Sequence, residues 1–141
     1  MVRQVSYEVA GWGVRQHELP SPAGTVAGSH PLVTRIRGYF RGSRDGFEDV
    51  ELDLDWCTPF QRAAVDAMRS IPYGDIATYG EVAALAGHPN AQRAVGSVCA
   101  SNRFGLFVPC HRVVAAGGIG SYGSLGPGYK ERLLELEGVV L

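Results

Sequence analysis

The same helix-start pattern occurs twice in the middle of the chain, at Thr58-Pro59-Phe60-Gln61 and at Thr78-Tyr79-Gly80-Glu81. In this capping box, the threonine hydroxyl accepts a hydrogen bond from the third helical N–H, and the Gln or Glu side chain accepts one from the capping N–H. Pro59 also suits the first helical position. We therefore predict helices that begin at Thr58 and at Thr78, the second of which stops at Gly87.

A third helix is predicted directly after the second. His88-Pro89-Asn90 makes a short turn, and Asn90 can cap a helix from Ala91 to about Ala100. Two short helices joined by such a turn have the outline of a helix-turn-helix motif. An αα-hairpin in any helical core has the same outline, so the pattern alone leaves both interpretations open.

The two faces of the third helix differ when its residues are placed about 100° apart. The apolar inner stripe comprises Ala91, Ala94, Val95 and Val98. The outer face combines one long basic side chain with small residues: Arg93, Gly96, Ser97 and Ala100. Small residues let a partner approach the backbone closely, and the arginine can reach into that partner. The alternative is a solvated face with one isolated arginine.

The first 57 residues predict a thin lobe of mixed α/β structure. A half-buried strand is indicated by apolar residues that alternate with acidic ones: Val50, Leu52, Leu54 and Trp56. A short helix is indicated by Leu32, Ile36, Tyr39 and Phe40, and a turn between two short strands by Gly11-Trp12-Gly13. We therefore divide the chain into an N-terminal lobe, residues 1–57, and a C-terminal domain, residues 58–141.

Charge and cysteine content exclude several classes of protein. The net charge of −1 argues against a strongly basic protein that clamps nucleic-acid phosphates. The three cysteines, Cys57, Cys99 and Cys110, are odd in number and lack metal-ligand spacing, so we expect neither a disulfide framework nor a zinc site. No run reaches the ~18 apolar residues of a membrane span, and we see no signal peptide. We expect a cytoplasmic location, or a nuclear one in a eukaryote.

The candidate nucleophile lies in the apolar run Val108-Pro109-Cys110-His111-Arg112-Val113-Val114. Pro109 restricts the backbone before the thiol, and His111 is the side chain best able to move a proton near neutral pH. Adjacent side chains of an extended segment point to opposite faces, so Cys110 and His111 meet only if the chain turns or a water lies between them. Free cysteine is also often buried, and a structural role stays open at this point.

The last predicted helix places a carboxylate among apolar residues. At about 100° per residue, one stripe contains Lys130, Leu133, Leu134 and Glu137. The opposite face contains the remaining charged side chains: Glu131, Arg132 and Glu135. A carboxylate on a core-facing stripe needs a buried partner, and His111 is a suitable one. The alternative is a frayed helix end, since Gly138 is a typical stop.

A glycine-rich loop is predicted from Ala115 to Gly128. Long loops without secondary structure are uncommon in small domains and often form lids or binding loops. Repeated glycine also permits close approach of the backbone to a flat ligand.

Taken together and in order, these segments resemble the O6-alkylguanine-DNA alkyltransferases, which transfer an alkyl group from guanine to their own cysteine. The matching residues are Thr58-Pro59-Phe60-Gln61, Ile71-Pro72-Tyr73-Gly74, Tyr79-Gly80-Glu81, Arg93-Ala94-Val95-Gly96, Asn102, Pro109-Cys110-His111-Arg112-Val113, Tyr122 and Lys130 to Glu137. The resemblance implies an α+β fold, in which a small N-terminal α/β lobe precedes a mainly helical, winged helix-turn-helix-like domain that carries the active-site cysteine.

The resemblance implies that Cys110 accepts the alkyl group. His111 would help to form the thiolate through a water, Glu137 would orient the imidazole, and Asn102 would brace the turn before the active site. No cofactor or metal is implied for this chain, because residues 1–56 contain no cysteine to match the zinc site of some relatives.

On the leaving-group side, the resemblance implies that Tyr79 donates a proton to the departing guanine and that Lys130 assists. The implied substrate pocket comprises Val108, Pro109, Tyr122, Gly123 and Ser124. A thioether offers water no carbonyl to attack, so the protein would act once.

The implied partner is double-stranded DNA that contains O6-alkylguanine, with O4-alkylthymine as a second substrate and the protein as a monomer. The third helix would enter the minor groove, and Arg93 would fill the space left by the flipped nucleotide. The implied DNA contacts are Tyr79, Ala91, Gln92, Arg93, Gly96, Ser97 and Arg103.

Two other functions compete with this one. A thiol hydrolase or acyl transferase that uses Cys110 and His111 would turn over and would not need the Arg93 helix. A non-catalytic relative that senses lesions would flip the base and recruit other factors, but that class lacks the cysteine.

Overall fold

Both capping boxes form in the computed structural model, which describes residues 7–9, 13–15, 31–102, 104, 106–117 and 126–139. Thr58 Oγ1 accepts from Gln61 N at 3.2 Å, and Gln61 Oε1 accepts from Thr58 N at 2.8 Å. The corresponding distances between Thr78 and Glu81 are 3.1 and 3.0 Å. These boxes begin helices α2, Pro59–Arg69, and α3, Tyr79–Leu85, and both predicted starts are confirmed.

The remaining elements give a mixed α/β fold that is mostly helical. They are β1 (Tyr7–Val9), β2 (Gly13–Arg15), α1 (Pro31–Phe40), β3 (Ala77–Thr78), α4 (Gln92–Ala100), a 3₁₀ turn (Cys110–Arg112), β4 (Val113–Val114) and α5 (Gly126–Leu136). The predicted pair of short N-terminal strands and the predicted helix over residues 32–40 are therefore confirmed. The turn residues 10–12 lie outside the described part of the chain.

A short parallel ladder between β3 and β4 positions the cysteine turn. Ala77 pairs with Val113, and Thr78 pairs with Val114. Because the strands are parallel, the segment that precedes β3 lies beside the 3₁₀ turn that precedes β4. This arrangement brings Ile71, which follows α2, next to Arg112, which donates to its carbonyl oxygen.

A single buried cluster joins the two parts of the sequence. Residues before Thr58 that contribute buried apolar side chains include Ile36, Tyr39, Phe47, Val50, Leu52 and Leu54. Later residues in the same cluster include Met68, Val95, Phe107 and Leu133. Arg69, at the end of α2, also donates to the carbonyl oxygens of Phe47 at 2.8 Å and Val50 at 2.9 Å. Residues 31–57 therefore pack against the later helices through this cluster.

The strand predicted over residues 50–56 is wrong. Val50, Leu52 and Leu54 are buried as the alternation predicts, but only Leu52 makes an isolated bridge, and the chain turns where Cys57 N donates to Leu54 O. Period-two burial requires an extended backbone with one face on the core, and it does not require a partner strand.

The predicted start and inner face of the third helix each need one correction. Asn90 does not cap α4, because it adopts a left-handed backbone with φ of 71°, and Ala91 occupies the cap without a side-chain hydrogen bond. Asparagine tolerates this conformation in a tight turn. Ala94 is exposed, whereas Val95 and Val98 are buried, so the contact stripe is narrower than predicted.

The predicted glycine-rich loop is too long, since α5 already begins at Gly126. Pro127 lies in the first turn of this helix, where proline is favoured because its missing N–H has no helical partner. Residues 118–125 lie outside the described part of the chain. No helix in the described ranges has the length and apolar composition needed to cross a membrane.

Candidate active site

Cys110 lies where two tight turns meet, at the end of the first and the start of the second. Pro109 has φ of −80° and ψ of 61°, and Cys110 N donates to Val108 O at 2.8 Å. This is an inverse γ-turn, which the fixed φ of proline favours. One turn of 3₁₀ helix follows, so the segment is not extended at the cysteine. Val108, Pro109, Cys110 and His111 are all buried.

The side-chain amide of Asn102 braces this turn. Its Nδ2 donates to Cys110 Sγ at 3.1 Å and to Val108 O at 3.0 Å. Its Oδ1 accepts from Phe104 N at 2.8 Å. The amide therefore joins the thiol sulfur to the backbone that precedes the turn, at Phe104 and Val108.

Glu137 is the centre of a buried polar cluster. It lies directly after α5 and is 2 % exposed, with Leu133 and Leu134 fully buried beside it. Its Oε2 accepts from His111 Nε2 at 2.8 Å. Arg112 binds the same carboxylate with two donors, Nε to Oε1 at 2.7 Å and Nη2 to Oε2 at 2.9 Å. The carboxylate on the core-facing stripe therefore has buried partners and is not at a frayed end.

Two members of this cluster carried no predicted role. Arg112, 2 % exposed, also donates from Nη1 to Ile71 O at 2.8 Å. Tyr39, from α1, donates its hydroxyl to Glu137 Oε2 at 2.6 Å. An arginine inside an apolar run is itself a signal of a buried opposite charge, and Glu137 was the carboxylate available. Tyr39 gave no such signal, because it lies 98 positions from Glu137 and suits any apolar helix face.

The charges of this cluster determine which nitrogen of His111 carries the proton. Burial opposes ionisation of Glu137, but the hydrogen bonds from His111 and Arg112 outweigh burial and hold its pKa well below the usual range. Burial lowers the pKa of His111, although Glu137 opposes this change. A neutral imidazole beside an ionised carboxylate, which only accepts, must donate from Nε2. Nδ1 is then an acceptor, and within the described ranges it is buried without a hydrogen-bond partner.

Lys130, from α5, contacts β4 and the Tyr79 ring. It is fully buried, its Nζ donates to Val113 O, and Nζ lies 5.6 Å from the centroid of the Tyr79 ring. Burial lowers the pKa of Lys130, and the charges of Cys110 and Cys99 act in the opposite direction. A cation at this distance interacts favourably with the face of an aromatic ring.

A groove of about 830 Å³ runs between α3, α4 and the residues after β4. Its lining includes Tyr79, Gln92, Arg93, Gly96, Ser97 and Cys99. Most residues predicted to contact DNA therefore share one surface, on which Arg93 is exposed. Ala91 caps α4 and does not line the groove. Arg103, Tyr122, Gly123 and Ser124 lie outside the described residues.

The other two cysteines have different surroundings. Burial raises the pKa of Cys99, whose Sγ lies 3.6 Å from Met68 Sδ. Cys57 is half-buried before α2. Asn102 donates to Cys99 through the backbone, from Asn102 N to Cys99 O at 3.2 Å, whereas its side-chain amide donates to Cys110 Sγ. Neither Cys57 nor Cys99 adjoins a histidine in the sequence. Within the described ranges, no group of three His, Cys, Asp or Glu residues could hold a metal ion.

The comparisons with known proteins agree with this geometry. The family model of the 6-O-methylguanine DNA methyltransferase, DNA binding domain, matches residues 59–139. The methylated-DNA–protein-cysteine methyltransferase of Mycobacterium tuberculosis is 44% identical over 124 residues, which cover 87% of this chain and 71% of that protein. The crystal structure of the M. tuberculosis O6-methylguanine methyltransferase superposes with a TM-score of 0.78 at 33% identity, over 97% of this chain and 93% of that one.

A crystal structure of the M. tuberculosis protein in complex with DNA superposes with a TM-score of 0.69 at 45% identity, over 75% of this chain and 65% of that one. The fold and these matches define a DNA methyltransferase that transfers the methyl group to a protein cysteine. The chain belongs to the methylated-DNA–protein-cysteine methyltransferase family, the O6-methylguanine-DNA methyltransferases that repair DNA by direct reversal.

The low pKa of Glu137 predicts how stability depends on pH. Its ordinary pKa is 4.5, so the unfolded chain binds a proton below that pH while the folded chain resists it. Below about pH 6.5, the unfolded chain also protonates His111, which the fold holds neutral. Both groups therefore contribute stability that is present near pH 7 and is lost as the pH falls.

Glu137→Gln tests this contribution. At pH 7 the variant should lose about 3–5 kcal/mol of unfolding free energy, because Arg112 is left without its carboxylate. Below pH 4.5, the unfolding free energy of the variant should fall less steeply with decreasing pH than that of the unmodified chain. The two slopes should differ by up to about 1.4 kcal/mol per pH unit. Urea unfolding at several pH values measures both effects. Glu135→Gln, on the exposed face of α5, is the matched control, and equal pH slopes in the two variants would contradict the interpretation.

Proposed function

We propose that Cys110 accepts the alkyl group from O6-alkylguanine in double-stranded DNA, once and irreversibly, and that O4-alkylthymine is a second substrate. The observation that carries this proposal is the arrangement around His111. Glu137 accepts from Nε2 at 2.8 Å, which leaves Nδ1 as a buried acceptor one residue after the thiol. Such an acceptor can take the thiol proton through one water.

In the proposed transfer, each proton and electron pair moves among named side chains and the base. The proton of Cys110 passes to His111 Nδ1, and the thiolate attacks the alkyl carbon. The carbon–sulfur bond forms as the bond from carbon to guanine O6 breaks, and the electron pair stays with the base. Tyr79 then protonates the departing guanine. Lys130, whose ammonium lies 5.6 Å from the Tyr79 ring centroid, stabilises the charge that remains on this phenol.

A hydrolase that uses the same thiol is the weaker candidate. An acyl thioester has a carbonyl that water can attack, whereas the thioether formed here has none. The Cys110 turn also lies in a fold whose groove is lined by Arg93 and small residues of α4, which a hydrolase of small esters does not require. Among the described residues, no contact around Cys110 suggests a group that would release a product from the sulfur.

The DNA-binding part of the proposal rests on the groove beside α3 and α4. We assign these helices to a helix-turn-helix within a winged helix-turn-helix-like C-terminal domain, residues 58–141, preceded by the small lobe of residues 1–57. Helix α4 enters the minor groove, and the exposed Arg93 occupies the space of the flipped base. A base that remains stacked hides the reacting carbon from the thiol, so extrusion is needed.

This role places the protein where the DNA is, in the cytoplasm of a prokaryote or the nucleus of a eukaryote, and it acts as a monomer without a cofactor. The solved relative in complex with DNA supports the choice of partner.

Mixing the protein with an oligonucleotide duplex that contains O6-methylguanine should add the mass of one CH₂ per chain. Peptide mapping should locate this addition on Cys110, because only this thiol has both the Asn102 and the His111 groups beside it. Intact-mass spectrometry provides the measurement. Cys110→Ser should gain nothing, and Cys99→Ser should react normally. Repeated turnover, or methylation of Cys57 or Cys99 with Cys110 unmodified, would contradict the proposal.

Arg93→Ala should slow transfer from duplex DNA much more than reaction with free O6-benzylguanine. The reason is that Arg93 lies in the groove and has no contact with the Glu137 cluster. The loss on duplex should be on the order of tenfold or more, since flipping a base costs a few kcal/mol. Rates are measured with both substrates in the variant and in Arg62→Ala, an exposed control on α2. Equal losses on the two substrates would show that Arg93 supports the fold.

A further inference from the structure

A residue from outside the matched DNA-binding domain completes the carboxylate cluster. The family match covers residues 59–139, whereas Tyr39 belongs to α1. Its hydroxyl donates to Glu137 Oε2 at 2.6 Å, and the side chain is 1 % exposed. This distance is shorter than those from His111 and Arg112 to the same oxygen, 2.8 and 2.9 Å.

Tyr39 and His111 share one acceptor atom. Oε2 accepts from Tyr39, from His111 Nε2 and from Arg112 Nη2, whereas Oε1 accepts from Arg112 Nε and, at 3.5 Å, from Gly74 N. A strong donor on Oε2 withdraws electron density from the hydrogen bond that this oxygen makes with the imidazole. The strength of the Glu137–His111 contact therefore depends on the Tyr39 hydroxyl.

The position of this hydroxyl is fixed by its ring. The ring of Tyr39 packs edge-on against Phe40 at 5.2 Å and Tyr73 at 6.0 Å, and it also contacts Phe47 at 6.0 Å between centroids. Burial raises the pKa of Tyr39, and the negative charge of Glu137 raises it further, so the hydroxyl stays a donor. Loss of the oxygen alone would leave these ring contacts in place.

We propose that Tyr39 is a positioning residue for alkyl transfer, in which its hydroxyl fixes Glu137 and limits how strongly the carboxylate holds the His111 Nε2 proton. The proposal rests on the function assigned to Cys110 above. It gives the N-terminal segment a role in the chemistry through a single hydrogen bond. Without this donor, Glu137 stabilises the imidazolium more, and the base is protonated at higher pH.

Several other charged and titratable groups surround Glu137 and His111. Besides Glu137 and His111 they are Tyr39 from α1, Arg44 from the loop after α1, Tyr73 from the turn after α2, Cys110 and Arg112 from the 3₁₀ turn, and Lys130 from α5. Tyr73 provides a matched control. Its hydroxyl donates to Leu136 O at 3.4 Å and does not contact Glu137, although its ring lies beside that of Tyr39.

Tyr39→Phe and Tyr73→Phe are compared in the full-length protein. In Tyr39→Phe, the acidic limb of the pH–rate profile for methyl transfer to Cys110 should move to higher pH by about one unit. The NMR resonance of the His111 Nε2 proton should also move downfield, because its hydrogen bond to Glu137 strengthens. Tyr73→Phe should change neither quantity, even if both variants lose similar unfolding free energy. Identical behaviour of the two variants in both measurements would overturn the proposal.

The NMR comparison separates this proposal from the proposed function. If the unmodified protein transfers no methyl group, the function fails, and the Nε2 proton shift still decides whether Tyr39 acts on His111. The unmodified chain gives a second measurement that needs no variant. Two protons that bind the same oxygen lie close together, so a nuclear Overhauser effect should connect the Tyr39 hydroxyl with His111 Nε2–H. Its absence would also overturn the proposal.

Discussion

The buried ion pair between Glu137 and Arg112 is the interaction on which the rest of the site depends. Two parallel hydrogen bonds, at 2.7 and 2.9 Å, join the guanidinium to the carboxylate. Removing one partner of such a pair costs about 3–5 kcal/mol, a large part of the ~5–15 kcal/mol that stabilises a typical domain. The ion pair therefore sets the main position of the carboxylate, to which Tyr39, Gly74 and His111 are also hydrogen-bonded.

The side chain of Asn102 connects the end of the helix that carries Arg93 to the proposed nucleophile, Cys110. Helix α4 ends at Ala100, and Asn102 follows in the next turn. Because Asn102 donates to both Cys110 Sγ and Val108 O, the sulfur keeps a fixed distance from the end of this helix. These hydrogen bonds hold the Cys110 sulfur in place beside the end of the helix that lines the groove, as the proposed transfer from an extruded base to this thiol requires.

Local signals predicted the parts of the fold that depend on neighbouring residues. Both capping boxes join residues three positions apart, and the periodicity of the last helix placed Glu137 on the core-facing stripe, with a frayed helix end as the alternative. The contact between Tyr39 and Glu137 could not be predicted, because the two residues lie 98 positions apart and the spacing of Tyr39 is that of an ordinary core residue. The left-handed backbone of Asn90 and the turn after Leu54 were also missed, since they arise from how the helices and loops pack. Arg112 could have been inferred as the partner of Glu137 from its place in an apolar run.

Glu137 holds His111 as a neutral imidazole protonated at Nε2, and the proposed transfer requires Nδ1 to accept the thiol proton. A two-bond ¹H–¹⁵N correlation spectrum of protein labelled with [¹⁵N]histidine, assigned with His111→Gln, reports this state directly. At pH 7 we expect one protonated nitrogen, Nε2, and an Nδ1 chemical shift typical of an unprotonated ring nitrogen. A doubly protonated ring, or a proton on Nδ1 alone, would contradict it.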